Sequence, residues 1–210
     1  MPSEYDRLLE LMRARRSVRR FRDEPLPQEM LEQVLEAARW APSAANRQAF
    51  RLCVVTEGST KEAMARAVER ACETIVQRAA VDLAPQLGAY TSSFLHFAAA
   101  PAVIVPIFRR GLDLLAPGGQ PSSLEAGVPR PIIDALSSVS AAVMNLLLAA
   151  HALGLGACWM TGPLVAAMEL RELLGVPESW EIAALVPVGR PAEVPRAPSR
   201  KPLGTLVRRL

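Results

Sequence analysis

The sequence predicts an α+β chain: a central sheet of about four short strands, mixed or antiparallel, flanked by helices, with an extended C-terminal arm. Three observations lead there. Apolar residues recur at helical spacing in segments that alternate with short β-branched runs, yet no strand–helix–strand repeat is present. No GxGxxG follows a strand, which weakens a nucleotide-binding Rossmann reading. From Arg190 onward, Pro191, Pro195, Pro198 and Pro202 keep the chain extended, so the arm over 190–210 must lie on something, and a partner subunit is a good candidate. The 210 residues are read as one domain, 1–210, with half the chain hydrophobic and enough length to bury a large core.

The elements follow in order. Ser3 with Asp6 three positions on forms a capping-box pattern, and Leu8, Leu9 and Met12 continue it as a helix to about Arg16. Pro27 opens a second helix with Met30, Leu31, Val34, Leu35 and Ala38 on one face, ended by Pro42. Leu52 to Thr56 reads as a buried strand, Thr60 to about Ala80 as a helix, and a further helical piece follows Pro85. Ala102 to Ile107 is a second strand, whose Pro106 suggests an edge or a bulge. A Gly/Pro/Ser-rich stretch around 109–132 lacks periodicity and reads as a lid or substrate loop. Ile133 to Leu153 is an apolar helix, read as buried on all sides, and Gly156 to Met160 a third strand. Val165 to Leu174 is a helix closed by Gly175, and Ile182 to Val188 the fourth strand.

Composition excludes several classes of function. The formal charge is only +3 and Lys61 and Lys201 are the sole lysines, so the basicity is arginine spread along the chain, too weak a footprint for nucleic acid. Cys53, Cys72 and Cys158 form no metal-ligand or paired spacing, which points to a reducing, cytoplasmic compartment and no metal site. Glu4, Asp6, Arg7 and Glu10 occupy the place of a signal peptide's apolar core. The apolar stretch from Ala141 to Met160 is interrupted by Asn145, His151, Gly154 and Gly156, so no membrane span is expected.

Three segments carry candidate chemistry. Five arginines lie between Arg15 and Arg22 with no acid among them, which fits either a solvated helix exit or an anion site. Ser17, a short hydroxyl donor among guanidinium groups, favours a phosphate. In an extended chain Ser17 and Arg19 share one face, for the ligand, and Val18 and Arg20 the other, for solvent. The segment from Ala41 through Pro42, Ser43, Ala44, Ala45 and Asn46 fits a plain turn or a small-residue approach to a ring. The glycines of the Gly154–Pro163 stretch fit either the end of the buried helix or, at Gly162 beside Met160 and Thr161, uncluttered amide donors for the close approach of a flat ring. His96 and His151 are read as core histidines in apolar surroundings, and Cys158 as packing, so no catalytic residue is assigned.

Taken in order, the Arg15–Phe21 run (RRSVRRF), Ala41–Phe50 (APSAANRQAF), Gly154–Pro163 (GLGACWMTGP), Glu169–Pro177 (ELRELLGVP), Ala183–Pro191 (AALVPVGRP) and Arg200–Leu203 (RKPL) resemble the flavin-dependent nitroreductase family over nearly the whole chain. The resemblance implies a nitroreductase-like fold and a homodimer with FMN at the subunit interface, its C-terminal arms exchanged between subunits. It implies that Arg15, Arg16 and Ser17 hold the FMN phosphate, that Arg200 and Lys201 close on it, and that Arg19 tunes the flavin from its pyrimidine edge. Pro42, Ser43, Ala44 and Asn46 are implied to come from the other subunit, and Met160, Thr161 and Gly162 to flank the ring near N5 and O4. Ala45 stands where the family often has glycine, and Ala49-Phe50 where proline and tryptophan are common.

The function so implied is an oxidoreductase that takes a hydride from NADH or NADPH and passes reducing equivalents to a small-molecule acceptor in an alternating, ping-pong order. The acceptor would be a nitroaromatic, a quinone or an activated alkene. The same scaffold also resembles flavin oxidases and dehydrogenases, reductive dehalogenases, flavin-fragmenting and deazaflavin-reducing enzymes, and a non-catalytic flavin-binding protein.

Overall fold

The computed structural model describes residues 2–80, 82–109 and 130–210; the loop expected around 109–132 therefore falls, but for its ends, outside the described residues. The helices are α1 (Glu4–Ala14), α2 (Gln28–Arg39), α3 (Gly58–Arg78), α4 (Ala84–Ser92), α5 (Arg130–Ala152), α6 (Ala167–Leu173) and α7 (Leu203–Leu206). The strands are β1 (Phe50–Val55), β2 (Ala102–Arg109), β3 (Gly156–Ala157), β4 (Trp180–Ile182) and β5 (Val186–Gly189). The capping box of α1 forms: Ser3 Oγ accepts from the Asp6 amide, and the Asp6 carboxylate accepts from the Ser3 amide at 3.0 Å. Helix α2 ends at Arg39, three residues before Pro42.

The named strands pair antiparallel, in the order β1-β2-β5-β3, with β4 beside the far end of β2. Strand β2 is central, which explains its unbroken apolar reading; burying Val103, Ile104 and Val105 contributes about 1.5–3 kcal/mol each. One face of the sheet packs Val103, Val105 and Ile107 against α3 and the 93–99 turn through Met64, Val68 and Phe97. The other packs Ile104, Val186 and Val188 against α2 and α5 through Val34, Val143 and Leu146.

Four expectations are corrected. The sheet has five strands because the predicted Ile182–Val188 strand is two, divided opposite Pro106. An extended residue presents its N–H and C=O to the same neighbour, so Pro106 offers that side only its carbonyl, which accepts from the Ala183 amide at 2.8 Å. Beyond that single bond the chain moves across, and β5 pairs with β2 at Ala102–Ile104. Pro106 thus lies in a central strand, at the break between its two neighbours, and not at an edge. Helix α5 is not buried on all sides: Leu136 and Met144 are exposed while Val139, Ala142, Val143 and Leu146 are fully covered. By length and composition Ile132–Ala152 could cross a membrane, yet its covered face forms part of the sheet's core. The predicted third strand shrinks to Gly156–Ala157, with Met160 bridging Leu185.

Candidate functional site

The arginine segment begins where α1 stops. Arg15 turns extended (φ −53°, ψ 135°) and Ser17 pairs in parallel with Ala157, so residues 15–21 run along the outer edge of β3. The Val18 amide donates to the Ala157 carbonyl at 3.0 Å, and Val18 is buried against Gly156. A Cβ on Gly156 would stand 2.7 Å from that of Val18, so this approach requires glycine. The face expected to meet solvent is therefore the inner one at Val18, and its next member, Arg20, pairs with Glu193 at 3.0 Å.

On the other face Arg15, Ser17 and Arg19 gather around Cys158. Burial pushes the Cys158 thiol up, against the pull of Arg19, a hydrogen bond with Ser17 and the charge of Arg15. Buried and with its thiol pKa raised, Cys158 is consistent with the packing role expected from the sequence. The Nε of Arg15 is buried with no hydrogen-bond partner among the described residues, whereas Arg16 donates to the carbonyls of Arg13 and Arg15 at the end of α1. Burial lowers the His151 imidazole's pKa, and the nearby charges of Arg15 and Arg16 press the same way. His151 thus faces cations at the end of α5, a correction to its expected apolar setting.

The Pro42 segment lies elsewhere on the protomer. The Ala44 amide donates to Ser138 Oγ on α5 at 3.2 Å, and Ser43 Oγ accepts from the Gln48 amide at 2.9 Å. Ala45, Asn46 and Gln48 all have left-handed backbone, with φ of 51°, 51° and 48°. Such conformations cost on the order of 1 kcal/mol each outside glycine. Ser138 and His151 lie about 20 Å apart along α5 at 1.5 Å per residue, so one protomer holds the two segments well apart on one helix.

Met160 is buried beside Leu185, and Thr161 is exposed at the start of the Gly162–Ala166 turn. A Cβ on Gly162 would meet the Phe94 ring at 2.3 Å, so Phe94 dictates glycine there. The arm is pinned only at its base: Phe21 bridges Pro191, the Arg22 amide donates to Arg190 O, and the Ala192 amide to Arg20 O, each at 2.9 Å. From Arg196 to Leu210 it is exposed, and Arg200 donates to Ser199 O while Lys201 lies in the same exposed stretch, so neither is joined to the Arg15 cluster in this protomer.

Glu193 is the residue that reading the sequence missed. Its Oε1 accepts from the amides of Arg19 at 2.7 Å and Arg20 at 3.1 Å. The available signal was that it is the one acid between Arg190 and Leu210. Among the described residues no group of three or more His, Cys, Asp or Glu is placed to hold a metal.

The chain is similar to several known proteins. The NADH dehydrogenase of Thermus thermophilus is 31% identical over 198 residues, covering 92% of this chain and 91% of that protein. A BluB-like flavoprotein from Clostridium difficile 630 superposes with a TM-score of 0.81 at 24% identity, covering 97% of this chain and 98% of the other. Oxidised iodotyrosine deiodinase bound to FMN and 3-iodo-L-tyrosine superposes with a TM-score of 0.70 at 27% identity, covering 93% and 95%. The profile of the Nitroreductase family matches residues 12–190, a span holding the arginine segment, the Pro42 turn, the Met160–Gly162 turn and every strand, and the chain therefore belongs to that family.

Proposed function

We propose that the protein is an FMN-dependent oxidoreductase that works as a homodimer, using NADH or NADPH as reductant. The observation that carries this reading is the buried, unpartnered Arg15 Nε in a segment that also presents Ser17 and Arg19, in a chain of this family. An orphaned buried guanidinium nitrogen is costly, and a phosphate oxygen is a chemically fitting acceptor for it. Arg15, Arg16 and Ser17 would hold the phosphate, with Arg200 and Lys201 closing over it.

The dimer reading draws on α5: a twofold axis beside its exposed Met144, midway between Ser138 and His151, would set two copies of the helix antiparallel and bring the Pro42 segment of one to the Arg15 segment of the other. Helix α1, which buries no residue in the protomer and exposes Tyr5, Leu8 and Met12, adds apolar surface, and so does the arm with Leu203 and Leu206. Pro42, Ser43, Ala44 and Asn46 from the second copy would then enclose the ring together with Met160, Thr161 and Gly162.

FMN, when bound, supplies the capacity to accept a hydride from NAD(P)H and return it to an acceptor. The protein's part is electrostatic and steric. Arg19 would stabilise the negative charge that the group gains on reduction, and Met160, Thr161 and Gly162 would flank it from the other side. The acceptor is proposed to be a nitroaromatic, quinone or activated alkene. The likeness to the deiodinase favours one second reading, reductive removal of halogen from a halophenol.

The absorbance spectrum of the purified protein tests the cofactor: a flavin spectrum, bleached on anaerobic addition of NADH or NADPH, is expected. Reoxidation by a nitroaromatic or a quinone supports the first reading and by 3-iodo-L-tyrosine the second. A flavin that no nicotinamide reduces would leave a flavin-binding protein without this activity, and a colourless protein that ignores added FMN would end the proposal.

A further inference from the structure

We infer that Glu193 is a positioning residue for Arg19, holding its backbone in the one conformation that turns its side chain to the ligand face. The inference rests on the FMN reading for its consequence and on the geometry for its cause. The Glu193 side chain is 18% exposed and all its recorded bonds go to two residues: the amides of Arg19 and Arg20, and Arg20 Nε at 3.0 Å. Two successive amides converging on one carboxylate oxygen is not ladder geometry, in which successive amides point to opposite sides. The carboxylate therefore fixes a local bend where the segment leaves β3, after the Ser17–Ala157 bridge and before the Phe21–Pro191 bridge. Arg19 lies between these bridges, and its own guanidinium has only a long 3.4 Å bond to Ser17 O. The Glu193 cap is the contact that specifies its backbone.

The consequence joins two parts of the site. Glu193 stands on the base of the arm that carries Arg200, so the acid that orients the flavin-facing arginine also anchors the segment bearing the phosphate-facing one. Arg20 neutralises the carboxylate from the opposite side, so the negative charge works on the two amides and does not cancel Arg19.

The test compares Glu193→Ala, Glu193→Gln and Arg20→Ala with Arg19→Ala in full-length protein. Hydrogen exchange of individual amides is measured first without flavin. The Arg19 and Arg20 amides are expected to exchange at least tenfold faster in Glu193→Ala and near the original rate in Glu193→Gln, whose amide oxygen still accepts, and in Arg20→Ala. The Val18 amide, bonded to Ala157, should be unchanged in all, which separates a local effect from unfolding. In the FMN-loaded proteins the midpoint potential is expected to fall in Glu193→Ala in the direction of Arg19→Ala, and the double variant to fall no further than Arg19→Ala alone. Unchanged exchange at Arg19, an unchanged potential despite faster exchange, or additive shifts in the double variant would each overturn the inference. A protein that takes up no FMN instead sinks the flavin reading, while the exchange data still decide whether Glu193 holds Arg19.

Discussion

The Arg19 amide and the Glu193 carboxylate meet at 2.7 Å across 174 residues of chain, tying the first site segment to the base of the last. The bond to the Arg19 amide, then those to Arg20, hold the Glu193 carboxyl below its ordinary value. A carboxylate with a depressed folded pKa stabilises the protein above its unfolded value, near 4.3, and loses that contribution as pH falls through the folded value. Melting temperature measured from about pH 7 to pH 3 should therefore drop through this window, and Glu193→Gln should flatten the drop while lowering stability at neutral pH by about 1 kcal/mol, screened by water at this surface site. An identical acid limb in both proteins would mean that other carboxylates govern it.

Ala45 at φ 51° predicts a gain from removing a methyl group. Ala45→Gly relieves left-handed strain on the order of 1 kcal/mol, partly offset by a more flexible unfolded chain, and should raise the melting temperature by about 2 °C. A lower melting temperature would show that the methyl group makes contacts worth more than the strain.

Gly162→Ala should act the opposite way. Its Cβ would lie 2.3 Å from the Phe94 ring, which is buried in the core with Phe97 and Met64, so the ring has little room to retreat. Overpacking of this kind costs about 1–3 kcal/mol. Thermal unfolding checks it, and Phe94→Leu in the same chain should recover part of the loss.

Much of this was legible in the sequence where one local signal governs. The capping box at Ser3 and the left-handed stop at Gly175 need no tertiary information, and both formed. The alternation of Ser17 against Val18 was legible only on the condition that the chain is extended, a condition met through pairing with Ala157, and it did not reveal which side is covered. What escaped depends on neighbours distant in sequence. Pro106 reads as an edge residue unless the strand on its far side is known to break there, and Glu193 reads as an isolated acid until the fold brings Arg19 and Arg20 to it. Helix α5 looked wholly buried because apolar composition does not separate a face covered by its own chain from one left exposed on the protomer.

Arg15 separates free and loaded protein. Its buried Nε has no partner, so Arg15→Met, which keeps the stem and removes the charge, should leave the flavin-free protein as stable as before or more so. In the loaded protein the same change should remove the proposed charge-assisted bond to phosphate, worth about 1.5–3 kcal/mol, and so lower FMN affinity about ten- to hundredfold. Thermal unfolding without flavin and fluorescence titration with FMN read the two effects. Lower stability without flavin would mean the guanidinium already has a partner in the free protein.

The dimer reading rests on a distance within one chain, and one substitution far from the phosphate cluster tests it. Met144 lies on the exposed face of α5, between the Ser138 and His151 ends that the twofold would exchange. Met144→Glu places two like charges near that axis, where burial of an unpaired carboxylate costs several kcal/mol, yet in a lone protomer the same position meets water. The variant is expected to sediment as a folded monomer with unchanged far-ultraviolet circular dichroism, and to bind FMN at least a hundredfold more weakly although every arginine of the phosphate cluster is intact. A dimer that keeps its flavin would move the interface off α5, and a monomer that holds FMN tightly would show that one protomer completes the site by itself.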